Sequence, residues 1–467
     1  MVFPIVGGTQ STGYEISNSV RYNDGDNPSL SRTLGSASGE KVFSFSTWVK
    51  RSNTGGSQSN YLLYGVDGSS NSFNWYFRND VLRLYENTAG SGGAYITTNQ
   101  KFTDISAWYH ILLVYNTNES TNTNRVKIYI NGSQIAVSNL TVTNWPDEDY
   151  TNAEVVKSGN TMKIGASGSN SEDFDGYLSQ TYFIDGQALA PSDFGETNDN
   201  GVWVPIKYTG TFGNNGVFLE YKQTGTSQNS SGMGADTSGN DNHFATSNHV
   251  ASDVVVDTPT NNFFTMNALG TIGATNQQQT NTDGMVNGNL EVVRTRSGGE
   301  SDGAGSSISA FPLNGKWYYE TKWESRDTSN MWFGIVNNVD LRTEVIYYSN
   351  GTSYVNSSTD SSYGATYTVG DIISVAVNKD DNQVTFYKNG STQGTLTNNS
   401  MDDVDFFAYV SDGGGSDGPN VIFNFGNPVG GFSISSGNAD ANGYGNFEYA
   451  PPSGYYALCS KNIGQFG

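Results

Sequence analysis

Apolar residues along this chain recur at alternate positions in short runs, and no stretch sustains a helical period. The pattern is sharpest from Trp108 to Ile135. Ile111 to Tyr115 is a short apolar run, and farther on Val126, Ile128 and Ile130 fall on one face, as in a half-buried strand. The polar loop between the two runs has little apolar surface to bury. Asn131-Gly132 follows, the dipeptide that best tolerates the positive φ angles of a tight turn. The reading is two antiparallel strands. Upstream, Phe43 and Phe45 alternate with Ser44 and Ser46. Further strands are expected at Tyr61–Val66, Ser72–Arg78 and Val81–Glu86, broken at Asp67-Gly68 and Asn79-Asp80. Thr161–Gly165 and Phe174–Gly186 complete the set. Gln187–Gly195 reads as a short helical turn, in which Pro191 ends the strand and Ser192 is placed to cap.

Turn formers dominate residues 206–284, which are expected to be an irregular linker with one or two short strands. The polar run Asn276–Thr282 marks a boundary there. Strands then return at Asn314–Lys322, Met331–Val336 and Tyr367–Asn378. A hairpin tip at Asn378–Asn382 leads into Gln383–Gly390, and Val421–Gly426 closes the series. In the tail, residues 431–467, Pro451-Pro452 forces an extended segment. The apolar residues after it are expected to dock on a partner or on the preceding module.

Charged residues make up only 15% of the 467 positions and aromatics 13%, with 56 glycines, the profile of short strands joined by polar turns. Twenty-three basic against 45 acidic residues give a net charge of −22. Such a chain repels phosphate backbones and anionic membranes, so nucleic acid is not an expected partner. No run approaches the ~20 apolar residues of a membrane span, and no membrane insertion is expected. Cys459 is the single cysteine, which leaves no internal disulfide. The first residues lack the basic and apolar regions of a signal peptide. A disulfide-free β protein of this kind is expected to be made in a cytoplasm and released by lysis, as part of a virion.

The motifs Phe43…Trp48-Val49-Lys50, Trp108-Tyr109-His110, Tyr129-Ile130-Asn131-Gly132, Ile164-Gly165, Phe174-Asp175-Gly176 and Ala188-Leu189-Ala190-Pro191 occur in the order of the laminin-G-like family. Residues 14–205 resemble it, and the resemblance implies a concanavalin A-like jelly roll spanning 1–205. Trp317-Tyr318-Tyr319-Glu320, Phe333-Gly334-Ile335, Gly370-Asp371-Ile372, Phe386-Tyr387-Lys388-Asn389-Gly390 and Phe423-Asn424-Phe425-Gly426 resemble the SPRY domain, over 285–430. The expected fold is therefore all-β, two tandem antiparallel β-sandwiches. The whole arrangement, including Asp257-Thr258-Pro259-Thr260 and the Pro451-Pro452 tail, resembles virion structural proteins of marine bacterial viruses. That resemblance implies a place in a particle without fixing which part.

Concanavalin A-like sandwiches include glucanases, which place E-x-D-x-x-E on one strand so that alternate carboxylates line a cleft. No such string is present. The nearest, Glu300-Ser301-Asp302, lies in a Gly-rich turn and lacks the final Glu. Gly414-Gly415-Ser416-Asp417-Gly418 matches a nucleophile elbow formally, but no helix follows it. His110 is expected to be structural, and His243 and His249 have no cysteine near them for zinc. Calcium is the cofactor to consider, at Asp147, Glu148 and Asp149, at Glu172 and Asp173 with Asp175, or at Asp412 with Asp417. Trp145 and Tyr150 offer a flat ring with polar neighbours for a sugar. Tyr347, Tyr348, Tyr354 and Tyr363 lie in a candidate loop region of the second module. Trp48, Trp108, Trp317 and Trp332 fall in strand patterns and are expected in cores. The expectation is a non-enzymatic phage surface adhesin of tail-fibre or spike type, recognising host surface glycan or protein. Competing readings are a capsid decoration or head-fibre protein bound to other virion proteins, and a glycan-degrading enzyme. A homotrimer would suit a fibre, although no heptads are present.

Overall fold

The computed structural model describes residues 13–467 except 69, 88–91, 152, 169–171, 269–283, 294–303, 326–330, 338–342, 357 and 413–419. The chain forms two compact units that divide between Thr260 and Asn261. Both are β-sandwiches, and the fold is all-β as expected.

The first unit begins with β1 (Ser19–Tyr22), β2 (Ser29–Thr33), β3 (Val42–Arg51), β4 (Asn60–Val66), β5 (Ser72–Arg78), β6 (Val81–Asn87) and β7 (Tyr95–Thr98). There follow β8 (Trp108–Asn116), β9 (Val126–Ile130), β10 (Ser133–Gln134), β11 (Leu140–Asn144), β12 (Thr161–Ile164) and β13 (Gly176–Asp185). It ends with β14 (Gly195–Thr197), β15 (Trp203–Pro205), β16 (Val217–Leu219), β17 (Ala245–Ser247) and β18 (Val254–Val255). One sheet runs β10-β9-β8-β3-β13-β1-β18, with β16 also on β13. The other runs β11-β7-β6-β5-β4-β12-β2-β17. Phe43, Phe45, Ile111, Leu113, Phe183 and Ile128 of the first sheet meet Leu63, Phe73, Trp75, Leu84, Ile96 and Met162 of the second in one core. As expected, β8 pairs with β9, Ile111 opposite Ile130 and Tyr115 opposite Val126. The turn that follows uses Asn131 at φ 46° and Gly132 at φ 78°. The short turn at Pro191–Asp193 also forms, but its cap is Asp193, whose Oδ2 accepts the Ala190 N–H at 2.9 Å, and not Ser192.

The two sheets differ in what covers them. β3 and β13 are buried almost throughout, whereas β6 alternates buried and open positions. The reason lies in residues 206–260, which are no irregular linker. They belong to the first unit: β16 and β18 join the first sheet, β17 joins the second, and further residues pack on the outer face of the first sheet. Phe218, with Tyr208 and Phe194, covers Leu112, Val114, Tyr182 and Ile184. Val255 joins Trp48, Trp108 and Tyr177. Turn formers do not leave this segment loose, because their side chains replace a ladder. The Asp236 carboxylate accepts the N–H groups of Phe218, Ser238 and Asn242, each at 2.9 Å. The polar run expected to mark the boundary, Asn276–Thr282, lies outside the described residues.

The covering segment is fixed by Asp257. Its Oδ2 accepts a hydrogen bond from Lys50 Nζ at 2.7 Å, with both side chains at most 1% exposed. Trp108 Nε1–H donates to Oδ1 at 3.1 Å, and Ser19 Oγ–H donates to the Asp257 carbonyl at 2.5 Å. The lysine also faces the Tyr177 ring, 5.6 Å from its centroid.

The second unit contains β19 (Gly284–Val286), β20 (Glu291–Val293), β21 (Ala304–Ser306), β22 (Lys316–Ser325), β23 (Met331–Asn337), β24 (Glu344–Tyr348), β25 (Ser353–Val355) and β26 (Ser358–Asp360). It continues with β27 (Ile372–Asn378), β28 (Gln383–Lys388), β29 (Ser391–Thr397), β30 (Phe406–Asp412), β31 (Asn420–Asn424), β32 (Tyr456–Ala457) and α1 (Ser460–Phe466). Its sheets run β19-β20-β31-β22-β27-β28-β29, with β32 on β22, and β21-β30-β23-β24-β25-β26. The second Asn-Gly turn repeats the first, with Asn389 at φ 47° and Gly390 at φ 79°. The tail docks on its own sandwich. β32 pairs in parallel with β22, and the buried Glu320 carboxylate accepts the N–H groups of Glu448 and Tyr449 at 3.0 and 2.8 Å. The extended tail ends in α1, a helix absent from the sequence reading.

Removing one partner of a sealed ion pair strands the other charge. Lys50→Met is therefore expected to destabilise the first unit by about 3–5 kcal/mol, and Lys50→Met with Asp257→Leu to recover most of that loss. Chemical denaturation of the full chain checks both. A single variant as stable as the parent would show that the pair does not hold the segment.

Candidate functional site

Residues opposite one another on neighbouring strands point to the same face of a sheet. Across the second sheet of the first unit, on the face away from the core, the register gives two rows. One reads Tyr61 (β4), Tyr76 (β5), Arg83 (β6), Thr97 (β7), Thr141 (β11). The other reads Lys163 (β12), Tyr64 (β4), Asn74 (β5), Tyr85 (β6), Tyr95 (β7), Asn144 (β11). Tyr61 and Tyr76 stack with centroids 4.9 Å apart, and Tyr64 meets Tyr61 edge-on at 5.7 Å. Tyr85 and Tyr95 form a second edge-on pair at 5.2 Å and are 37% and 36% exposed. Asn74 locks the middle, accepting the Tyr61 hydroxyl at 3.3 Å and donating to the Tyr85 carbonyl at 2.8 Å. Burial raises the hydroxyl pKa of Tyr61, Tyr64 and Tyr76, so these groups stay protonated hydrogen-bond donors. The arrangement is a strip of rings and polar groups on one sheet face, buried at Tyr61, Tyr64, Tyr76 and Asn74 and open at Tyr85 and Tyr95. Its signal was present in the sequence: in Ser72–Arg78 the alternation that sends Phe73, Trp75 and Phe77 inward sends Asn74, Tyr76 and Arg78 outward.

The candidates read from sequence are dispersed. Trp145 directly follows β11 but is half-buried against the first core, and Tyr150 is buried in that core. Asp149 pairs with Lys41 at 2.8 Å and Glu148 with Arg125 at 3.3 Å. Asp147 lies beside the strip, its N–H donating to the Gly92 carbonyl at 2.9 Å. Asp173 and Asp175 lie elsewhere in the unit and are buried. Desolvation lifts Asp173 to about 6 and Asp175 well above the usual carboxylate range, although Arg51 and Arg21 oppose the latter shift. A calcium ligand must carry its charge, so burial works against this pair. Among the described residues no three His, Cys, Asp or Glu groups converge to hold a metal. Glu300–Gly303 and residues 414–418, with Asp417, lie outside the described residues, as does the Asp412 side chain.

In the second unit Tyr347 is not in a loop. It sits on β24 with its ring in the core, and its hydroxyl donates to the Ala365 carbonyl. Its neighbours point the other way: Tyr348 and Tyr354 meet edge-on at 6.0 Å, and Trp332 packs on Tyr348 at 5.3 Å. Trp332 therefore lies on the outer face, not in the core with Phe333.

Residues 24–193 match the family model described as the concanavalin A-like lectin/glucanases superfamily, and residues 316–428 match the SPRY domain. Domains of both kinds are typically non-catalytic binding domains. Among solved structures, the SPRY domain of human HERC1 is 18% identical, covering 29% of this chain and 87% of that one, with a TM-score of 0.24. The native heptameric SAP-like pentraxin from Limulus polyphemus is also 18% identical, covering 38% of this chain and 80% of that one, with a TM-score of 0.27. No curated protein matches the chain.

Two features bear on catalysis. Neither row of the strip contains an Asp or Glu, the groups a glycosidase needs on the face that holds its substrate. Behind the first sheet Ser46 Oγ lies 2.8 Å from His110 Nε2, a serine–histidine contact. Trp203 Nε1, a donor only, gives its hydrogen to His110 Nδ1 at 3.1 Å. The neutral ring therefore carries its proton on Nε2 and donates to Ser46, so it cannot take the serine's proton. Ser46 and His110 are also sealed, at 1% and 0% exposure. His110 is a structural residue.

Burial lowers the His110 pKa from 6.5 to about 3. The unfolded chain takes up this proton first, so the stability contributed is complete above pH 6.5 and is lost as pH falls from 6.5 toward 3. The difference in unfolding free energy between parent and His110→Gln is expected to shrink over that window, by up to ~1.4 kcal/mol per pH unit. NMR of the imidazole should show no protonation at pH 5. A ring that titrates near pH 6 would remove this assignment.

Proposed function

We propose that this protein is a non-enzymatic surface component of a bacteriophage particle that recognises glycan on the host, and that the tyrosine strip of the first sandwich is its recognition face. The observation that carries the reading is the composition of the strip: two open tyrosines, Tyr85 and Tyr95, backed by the buried Tyr61, Tyr64 and Tyr76, with arginine, asparagine and threonine between them and no carboxylate in either row. Tyrosine offers a sugar ring a flat apolar face and a hydroxyl in one side chain, at low conformational cost. A sheet holds those rings at fixed spacing. The acidic, disulfide-free composition suits a particle surface in salty water, and among the described residues no helix is long and apolar enough to cross a membrane.

A second reading, attachment to another virion protein, draws on the second unit. Trp332, Tyr348 and Tyr354 form a half-buried aromatic cluster on the outer face of its smaller sheet, the residue types that dominate protein interfaces. The two readings are compatible, one unit holding the particle and the other meeting the cell.

The test is binding of the full chain to intact cells and to a panel of bacterial surface polysaccharides. Tyr85→Ala with Tyr95→Ala is expected to weaken binding by about tenfold or more, since each contact of this class is worth roughly 1 kcal/mol or above. Tyr348→Ala should leave it unchanged. If the parent binds no cell or polysaccharide yet attaches to particles lacking it, the adhesin reading fails and decoration replaces it.

A further inference from the structure

The same strip carries a charge pattern that narrows its ligand. We infer that the strip takes an anionic polysaccharide, one bearing uronate or sulfate groups; this rests on the glycan reading of the strip and goes beyond it.

In a chain with 45 acidic and 23 basic residues, arginines are expected to be matched by carboxylates. Three of the four other arginines in the first unit are: Arg21 pairs with Asp253 at 2.9 Å, Arg51 with Asp80 at 3.1 Å and Arg125 with Glu148 at 3.3 Å, while Arg32 donates to the Asn215 carbonyl at 3.2 Å and to Asn242 Oδ1 at 2.6 Å. Arg78 and Arg83 are the exceptions on the strip. Arg83 lies opposite Tyr76 in the register, and Arg78 follows Tyr76 by two residues on β5, on the same face. The Tyr76 hydroxyl feels both cations. Among the described residues neither guanidinium forms an ion pair, and the Arg83 Nε–H, closed off from water, meets no acceptor. Lys163, at the far end of the second row, is engaged already: its Nζ donates to the Ser167 carbonyl at 2.9 Å and its charge acts on Asp173.

Carboxylates do occur at the margins. Asp67 acts on Tyr64 and is held by Asn71 at 2.7 Å, while Glu172 acts on Tyr61 and accepts from Ser59 at 3.4 Å. Both repel an anion from the edge, and Glu172 acts on the same Tyr61 hydroxyl as Arg78. A planar guanidinium matches a carboxylate or sulfate group with paired hydrogen bonds, and the neighbouring rings would take the sugar faces.

Binding of the full chain to a polyuronate, to dextran sulfate and to neutral dextran tests this, at low and at high salt. The parent is expected to bind at least one charged polymer about tenfold or more tighter than dextran, and to lose that advantage as salt screens the contacts. Which anion is preferred identifies the group recognised. Arg78→Gln with Arg83→Gln should abolish the preference, with an unchanged melting temperature showing that the fold is intact. Equal binding to charged and neutral polymers, unaffected by the arginine changes, overturns the inference while leaving the glycan reading in place. No binding to any polymer overturns both.

Discussion

The first unit depends on a lysine and an aspartate that have both been taken out of water. Lys50 lies in the middle of a sheet that would otherwise face solvent, and Asp257 arrives from the far end of the unit to meet it. An isolated charge in that place costs several kcal/mol, so each group makes the other tolerable. Trp108 and Ser19 add hydrogen bonds to the same aspartate and fix its direction. The consequence is asymmetric. The first sheet becomes a middle layer, with the core on one side and Phe194, Tyr208 and Val255 on the other, while Val217, Leu219, Tyr221 and Phe244 of the same stretch enter the core. Its strands are buried on both faces, as in sheets covered by helices, although here the cover is irregular chain. The outer face of the second sheet stays open across β6, β7 and β11, where Tyr85 and Tyr95 lie, while Tyr61, Tyr64 and Tyr76 beside them are buried.

Alternation of apolar residues placed many of the strands, because period-two burial is local, although β24, β29 and β30 were not among them, and both Asn-Gly turns adopt the backbone that their dipeptide favours. What alternation did not carry was the fate of each face. Residues 206–260 read as a linker because their order comes from contacts far apart in sequence, Asp257 with Lys50 and Asp236 with its turn, and not from any periodic pattern. Tyr347 and Tyr348 are adjacent and chemically alike, yet one is core and the other surface. Only the register of β24 on β23, Tyr347 opposite Phe333, decides which. Trp332 was misplaced for the same reason. Asp173 and Asp175 resembled a cation site as a string, but burial among other charged groups raises their pKa and gives them a structural setting.

The strip shows how binding chemistry can be built without loops. Its side chains project from strands whose opposite face is the core: Tyr76 lies between Trp75 and Phe77, and Tyr85 between Leu84 and Glu86. Each ring is thereby held by the packing behind it, and little side-chain freedom is left for a ligand to remove. A rigid aromatic row suits a polymer with repeating units better than a compact ligand, because successive rings can meet successive residues.

Charge then decides what a row of this kind can hold. A protein of net charge −22 repels polyanions at long range, so an anionic ligand would approach slowly unless screened by salt. At contact distance the field is local, and Arg83 and Arg78, with no ion pair among the described residues, place positive charge beside Tyr76. Long-range repulsion combined with short-range attraction discriminates against anions in general while keeping those whose spacing matches the strip. Nucleic acid, which needs many phosphate contacts along a groove, gains nothing from two arginines set among tyrosines on a flat sheet. A polysaccharide with an acid group on each repeating unit needs only the one that lands beside Tyr76.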